Sequence, residues 1–370
     1  MTFTKRINAL QPSATMAVLD AAARMREQGI DVISFGAGEP DFDTPKYIVD
    51  AGNEALALGK TRYTPAAGTL DLKKAVAEKL QRDNNLEYQP GQIVVSNGAK
   101  HSLYNVMMTL FEEGDEVIIL KPYWVTYPEI VKLSGAKPVY VETLESDAFQ
   151  ISAEQIQDVM TPKTKGIIVN TPSNPSGAVL NRKSLQTIVD VSLKHDLWII
   201  SDECYEALVY DGEHISLAGF QGAYDRTITI QTLSKAYAMT GWRMGYSASN
   251  QELAKAMGKF QGQATGCPNS IAQYASQTAL TGDHSFLDGW RSEFLERRNF
   301  MVAALDVMEG VSCIMPEGAF YAFPKVSGLF GKQADGVEIK DDIDLTKYLL
   351  DEAHITVVPG SAFGAPDHVR

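Results

Sequence analysis

Cysteine is scarce in this sequence: Cys204, Cys267 and Cys313 are the only three among 370 residues. An odd number at wide spacing argues against a disulfide framework and offers no metal-ligand pattern. Three reduced thiols in a cytoplasmic protein are the plainer reading. An excess of positive charge is missing as well. Lys and Arg number 33 against 46 Asp and Glu, for a net charge of −13. Such a chain repels phosphate overall, which argues against nucleic acid and anionic membrane as partners, although a local basic pocket for a small anion stays open. No apolar run approaches the roughly 20 residues that a bilayer-spanning helix needs. Met1 to Met16 carries Lys5 and Arg6 with no apolar stretch behind them, unlike a secretory signal. Internal repeats and low-complexity tracts are absent too.

What is present is a chain long enough for about two or three domains. Short Val/Ile-rich runs alternate with longer amphipathic stretches through its middle. Ile93–Ser96, Val117–Leu120, Gly166–Asn170, Trp198–Ser201 and Thr227–Thr232 read as buried strands. Leu70–Arg82, Ser102–Phe111 and Ser184–His195 read as helices. Strand–helix alternation predicts an α/β fold, a mainly parallel sheet covered by helices on both faces. After about Gly282 the pattern changes. Phe286–Met308 reads as one long helix, and Ala319–Phe323 and Ile355–Val358 as strands. The expected division is a large domain over 46–285 and a smaller α+β domain built from 1–45 and 286–370, bridged by the long helix.

In open α/β sheets ligands bind beyond the carboxyl ends of the strands, so the residues just after each strand carry the argument. Gly98, Ala99 and Lys100 follow the first, a glycine turn into a helix start. That outlines an anion site, though a glycine there is also simply a turn. Thr171-Pro172-Ser173-Asn174-Pro175-Ser176-Gly177 follows the third, a stiff loop that aims the Asn174 amide. Asp202-Glu203-Cys204-Tyr205 follows the fourth. Asp202 is either a helix N-cap or a half-buried carboxylate in need of a partner. Thr232, Ser234 and Lys235 close the fifth and lead to Arg243 and Gly245. Alone, Lys235 also reads as a snorkelling surface lysine. Together, consecutive strand ends offer an anion cradle, an amide, a carboxylate with a tyrosine, a lysine and an arginine.

With these residues the sequence resembles the class I (fold type I) pyridoxal-phosphate aminotransferases. Within them it is most similar to the bacterial aspartate aminotransferase subgroup that also contains prephenate aminotransferases. The resemblance runs from Gln11-Pro12-Ser13-Ala14-Thr15 to the last residue. It takes in Gly38-Glu39-Pro40-Asp41-Phe42, Tyr63-Thr64-Pro65, the 170–177 loop, Ser201-Asp202-Glu203 and Ser234-Lys235 through Gly245.

The resemblance implies pyridoxal 5′-phosphate as cofactor and a role for each matching residue. Lys235 would hold the cofactor aldehyde through its amine and, once a substrate amine displaces it, carry a proton to and from the substrate α-carbon. Asp202 would face the pyridine nitrogen and keep it protonated. Tyr205 and Asn174 would donate hydrogen bonds to the ring oxygen, and Trp124 would lie on the ring face. The phosphate would take the backbone N–H groups of Gly98, Ala99 and Lys100, the hydroxyls of Thr232 and Ser234, and a bidentate grip from Arg243. Tyr63 would reach the phosphate of a neighbouring subunit, which implies a homodimer with shared sites. Arg370 would grip the substrate α-carboxylate with help from the Gly38 backbone, Asn174 and Trp124. Family members continue past the position of Arg370 by a strand and a helix, so the chain reads as one cut short at its C-terminus.

A dicarboxylate substrate needs a second cation. One branch of the family takes it from a partner arginine ahead of a Ser-Asn-Pro turn. Here Lys259 to Pro268 contains no arginine, and the turn reads Gly266-Cys267-Pro268. The other branch uses a lysine after the phosphate-loop glycine with Ser and Thr from the N-terminal segment, which Lys100, Ser13 and Thr15 match. The expected reaction is therefore ping-pong transfer between aspartate or glutamate and 2-oxoglutarate or oxaloacetate, with prephenate as an alternative acceptor. A lyase on the same fold would share Lys235 and Asp202. A ligand-sensing regulator would need a helix-turn-helix domain ahead of motifs that begin by Pro12. A nicotinamide dehydrogenase is poorly served by Gly36-Ala37-Gly38-Glu39-Pro40-Asp41, which lacks the third glycine and cannot open a helix through Pro40.

Overall fold

A computed structural model describes residues 3–334 and 336–370; Met1, Thr2 and Asp335 lie outside the described residues. The strands of the first two-thirds are β1 (Ile33–Ser34), β2 (Ile93–Ser96), β3 (Glu116–Lys121), β4 (Lys137–Glu142), β5 (Thr164–Asn170), β6 (Trp198–Asp202), β7 (Thr227–Thr232) and β8 (Gly245–Ala248). Seven of them form one sheet in the order β2-β8-β7-β6-β5-β3-β4. β8 runs antiparallel to both β2 and β7, and the other pairings are parallel.

The alternation of side chains along the central strands shows why their runs are mostly apolar. Ile167, Val169 and Ile199 pack on one face against Leu185, Ile188 and Val189 of the helix Arg182–Lys194. Ile168, Ile200, Ile228 and Ile230 point the other way, onto Leu103, Val106 and Met107 of the helix Ala99–Leu110. Both faces are covered, so both sets of alternate residues are mostly apolar, and the polar exceptions in β6 and β7, Ser201, Thr227, Thr229 and Gln231, are themselves buried. Each fully buried Ile, Val or Leu contributes about 1.5–3 kcal/mol from area removed from water. The helix Arg182–Lys194 begins where Asn181 accepts the Ser184 N–H at 2.9 Å, which satisfies one of its open donors.

Several expectations need correction. β4 and β8 were not among the expected strands. β4 (Lys-Pro-Val-Tyr-Val-Glu) sits at the sheet edge, where a proline is tolerated and alternation with polar residues is natural. β8 (Gly-Tyr-Ser-Ala) has no β-branched residue to mark it. Ala319–Phe323 is not a strand: Ala319 has φ 58°, which breaks extended backbone, and only isolated bridges form at Gly318 and Lys325. The long helix spans Phe286–Asp306. Of Ile355–Val358, Ile355–Thr356 is a strand, paired in parallel with β1. Among the described residues no helix is long and apolar enough to cross a membrane.

From β3 the chain steps outward to β4, whereas from β5 it steps the opposite way to β6 and β7. That reversal opens a crevice beyond the carboxyl ends. Register aligns the polar termini there, with Asn170 opposite Asp202.

Candidate active site

One end of the crevice is built for an anion. Gly98 caps the helix Ala99–Leu110 with φ 84°, and the first N–H groups of that helix have no intrahelical acceptors. Arg243 crosses directly above. A Cβ at Gly98 would lie 2.5 Å from Arg243 Nη2, and one at Gly245 would lie 2.5 Å from the Ala99 nitrogen. The two glycines therefore let backbone, helix start and guanidinium close on one small volume. Arg243 itself holds φ 57°, a left-handed conformation that costs on the order of 1–3 kcal/mol outside glycine. Its guanidinium donates to the carbonyls of Thr240 (2.8 Å) and Asn97 (3.3 Å) and forms no ion pair among the described residues. Thr232 caps the short helix Leu233–Ala236 and donates to the Met244 carbonyl at 2.8 Å, which places its hydroxyl 2.9 Å from that of Ser234. Lys235 follows, half-buried, with its ammonium donating to the Gly38 carbonyl.

Across the crevice lies a carboxylate. Asp202 ends β6 only 3% exposed, and turns rather than a helix follow it, so it is no helix cap. The Tyr127 hydroxyl donates to Oδ2 at 2.7 Å and the Cys204 N–H to Oδ1 at 3.2 Å. Burial raises the Asp202 carboxyl above its ordinary range, and the Cys204 side chain, the Tyr127 hydroxyl and the Cys204 N–H oppose the shift without cancelling it. The neighbouring Asn170 donates to the Asp202 carbonyl at 3.0 Å and accepts the Asn174 N–H at 2.8 Å, which ties the proline loop to the strand ends.

The third wall carries Arg370, 7% exposed. Its Nη1 donates to Asn174 Oδ1 at 2.8 Å and its Nη2 to the Gly36 carbonyl at 3.1 Å. The guanidinium lies over the rings of Tyr321 (4.6 Å) and Phe363 (5.0 Å). Its Nε has no partner, and no carboxylate pairs with it among the described residues. A buried cation without an anion is costly, so this geometry makes a receptor for one. Beside it the Tyr205 and Tyr321 hydroxyls meet at 2.6 Å. Burial pushes the Tyr205 phenol well above its ordinary value, with Tyr321 adding to the effect. Opposite, the Lys100 ammonium sits 5.0 Å from the Trp124 ring centroid. Burial first, then Arg243, lowers its pKa.

Lys235, Asp202, Tyr205, Asn174, Trp124, Lys100, Arg243, Arg370 and the smaller groups expected from sequence, Ser13, Thr15, Gly38, Ala99, Thr232 and Ser234, all line one cleft of about 260 Å³. Gly98 stands just behind its wall against Arg243. Tyr63 is not part of the lining and is 99% exposed. The lining also includes Tyr127 and Tyr321, which sequence reasoning missed. Tyr127 lies three residues after Trp124, just inside the helix Thr126–Ser134, and meets its ring edge-on at 5.5 Å, but its contact with Asp202 comes from the fold. Nothing local marks Tyr321.

Behind the cleft lies a second polar cluster, separated from it by Cys204 and Thr232, which line both. Glu203 accepts from Ser201 (2.8 Å) and Ser216 (2.7 Å) and lies 3.0 Å from His214 Nε2. Ligand-type atoms of Glu203, Glu206 and His214 fall within 4.8 Å of one another, a grouping invisible in their spacing, and the Lys79 ammonium pairs with Glu206.

Comparison with known proteins agrees with this geometry. A family described as Aminotransferase class I and II matches residues 30–370. An aspartate aminotransferase of Bacillus subtilis is 45% identical over 372 residues, covering 100% of this chain and 94% of the relative. An aspartate/prephenate aminotransferase of Cereibacter sphaeroides is 45% identical, covering 98% of this chain and 91% of the relative. The crystal structure of an aspartate aminotransferase from Rhizobium meliloti superposes with a TM-score of 0.96 at 43% identity, over 100% of this chain and 93% of the other. An aspartate aminotransferase from Thermus thermophilus with maleate gives 0.94 at 40%, over 100% and 94%. Sequence and overall structure agree along nearly the whole length, and the chain belongs to the class I and II aminotransferases.

Proposed function

We propose that this protein transfers the amino group between aspartate or glutamate and 2-oxo acids in a ping-pong reaction with pyridoxal 5′-phosphate. The observation that carries the reading is a buried guanidinium without an anion, Arg370, in the same cleft as a second cationic wall at Lys100, with Lys235 and Asp202 in that cleft too. Two cations suit a substrate with two carboxylates. Ser13 and Thr15 share the cleft with Lys100 and would hydrogen-bond the distal carboxylate. The Thermus relative was crystallised with maleate, itself a dicarboxylate.

The residues fit the cofactor on three counts. The Gly98 and Gly245 cradle would be filled by any Cβ, the Arg243 guanidinium above it lacks an anion, and Asp202 is a buried carboxylate short of a cation. When bound, pyridoxal 5′-phosphate supplies an electrophilic aldehyde and a ring that draws electrons from the substrate α-carbon. Gly98, Ala99, Lys100, Thr232, Ser234 and Arg243 hold the phosphate. Asp202 keeps a proton on the ring nitrogen, a cationic neighbour that its desolvated carboxylate lacks otherwise. Tyr205 and Asn174 donate to the ring oxygen, and Trp124 covers the ring face. Arg370 orients the α-carboxylate, and the Lys235 amine takes and returns the α-proton.

We further assign residues 46–285 to a large cofactor-binding domain and 1–45 with 286–370 to a smaller one, whose two parts are joined by the pairing of β1 with Ile355–Thr356. Tyr63, exposed as it is, completes the phosphate site of a second copy in a homodimer. Three free cysteines suit the cytoplasm. Prephenate is a second acceptor on this reading. Relatives named aspartate/prephenate aminotransferase are 41–45% identical, and prephenate presents a distal carboxylate to the same Lys100 wall.

The test is spectroscopic and kinetic. Protein incubated with pyridoxal 5′-phosphate is expected to show visible absorbance that aspartate bleaches with release of one equivalent of oxaloacetate per site, and to form more oxaloacetate only as 2-oxoglutarate is consumed. Repeated turnover to keto acid without acceptor would favour the lyase. Lys235→Ala is expected to cost on the order of 10³-fold in kcat, within the range for a lost acid–base group. Undiminished turnover in that variant would rule the mechanism out.

A further inference from the structure

Tyr321 has no role in the reading above, yet it touches three of that reading's parts. Its hydroxyl lies 2.6 Å from that of Tyr205. Its ring packs under the Arg370 guanidinium at 4.6 Å. It also presses on Gly38, whose carbonyl accepts from Lys235: a Cβ on Gly38 would come within 2.8 Å of the Tyr321 oxygen. Both tyrosines are buried, at 6% and 8% exposure, so water does not compete for their hydroxyls.

Two hydroxyls in contact have one proton between them, and either can donate. The ambiguity ends once Tyr205 has another acceptor. A phenol has a single proton, so a Tyr205 that donates to the cofactor ring oxygen cannot also donate to Tyr321. The shared proton must then come from Tyr321. A hydroxyl that accepts a hydrogen bond becomes a better donor, because chained hydrogen bonds polarise one another in a medium of low dielectric. Arg370, stacked on the Tyr321 ring, fixes where that ring stands.

We propose that Tyr321 is a positioning residue that sets a one-way hydroxyl relay, Tyr321 to Tyr205 to the cofactor ring oxygen, anchored at the carboxylate-binding Arg370. This rests on the assignment of pyridoxal 5′-phosphate to the cleft. Tyr321→Phe keeps the ring under Arg370 and removes only the donor. A ring oxygen held by a weaker hydrogen bond keeps more negative charge and binds the proton on the neighbouring linking nitrogen more firmly.

The experiment titrates the visible absorbance of the cofactor-loaded protein with pH in four forms: unaltered, Tyr321→Phe, Tyr205→Phe and the double variant. Tyr321→Phe is expected to raise the midpoint by roughly 0.3–1 unit, and Tyr205→Phe by more. In the double variant the midpoint should equal that of Tyr205→Phe alone, because the relay has already lost its middle. A packing role would leave the midpoint where it is. An unmoved midpoint in Tyr321→Phe, or a shift that persists in the Tyr205→Phe background, overturns the relay. Absence of any cofactor absorbance in the unaltered protein would instead overturn the cofactor assignment on which the relay stands.

Discussion

Asp202 and Glu203 are consecutive, both acidic and both buried, and their fates are opposite. Asp202 turns into the cleft, where the Cys204 side chain, a tyrosine hydroxyl and one backbone N–H meet it but no cation does, and burial leaves its pKa raised. Glu203 turns into the protein. Burial pushes its carboxyl up too, but His214, Ser216 and Ser201 outweigh that and hold it below its ordinary range. The difference is one of partners supplied rather than of depth. A carboxylate that the fold satisfies belongs to the scaffold. One left short belongs to whatever arrives, and that deficit marks the working side of the strand.

The sharpest way to break the contrast is Asp202→Asn. Without the anion the ring nitrogen loses its counter-charge, and kcat is expected to fall about 10²–10³-fold, the range for one lost preorganised electrostatic contact. Thermal stability should hold or rise, since an uncompensated buried charge has been removed. Equal activity would end the argument for this carboxylate. Glu203→Gln should do the reverse, costing about 3 kcal/mol in denaturant unfolding by stranding its buried partners, while the visible spectrum of the loaded protein stays as it was. The smallest effect is in pH. His214 is held above its ordinary 6.5 by Glu203 and Glu206, against desolvation, so its share of stability is complete below 6.5 and is lost as pH rises through the raised value. Glu203 is held below its ordinary 4.5, so its share is complete above 4.5 and is lost as pH falls through the depressed value. A plot of Tm against pH should therefore decline on its alkaline side. His214→Ala should flatten that decline, and an unchanged limb would show that the pair does not control it.

The sequence shows the same asymmetry. β3, β5 and β6 were legible because burial on both faces demands runs of Val and Ile, and β7 (Thr-Ile-Thr-Ile-Gln-Thr) because its β-branched residues mark it although buried Thr227, Thr229 and Gln231 line one of its faces. β8 was not, since an antiparallel strand spelled Gly-Tyr-Ser-Ala looks like a turn until its two neighbours are known. Lys235, Asp202 and Asn174 could be picked out because each follows a readable strand. Arg370 rested on resemblance alone: only the fold brings it within 2.8 Å of Asn174 across 196 positions. Tyr127 and Tyr321 escaped for a related reason. Their significance lies in what their hydroxyls touch, Asp202 and Tyr205, and neither contact leaves a local pattern. The Glu203, Glu206 and His214 group was likewise hidden, because its members share a location and no motif.

The parallel pairing of β1 with Ile355–Thr356 joins backbone some 322 positions apart, and the Arg370 side chain bonds the Gly36 carbonyl just beyond it. Chain closure over such a span comes late, after local and mid-range contacts have already formed. On the ribosome the central sheet can assemble before the segment that carries Ile355–Thr356 and Arg370 has been made. The proposed carboxylate receptor cannot, because Arg370 and Gly36 lie 334 positions apart. On the proposed assignment a nascent chain therefore acquires its cofactor cradle first and its grip on substrate last.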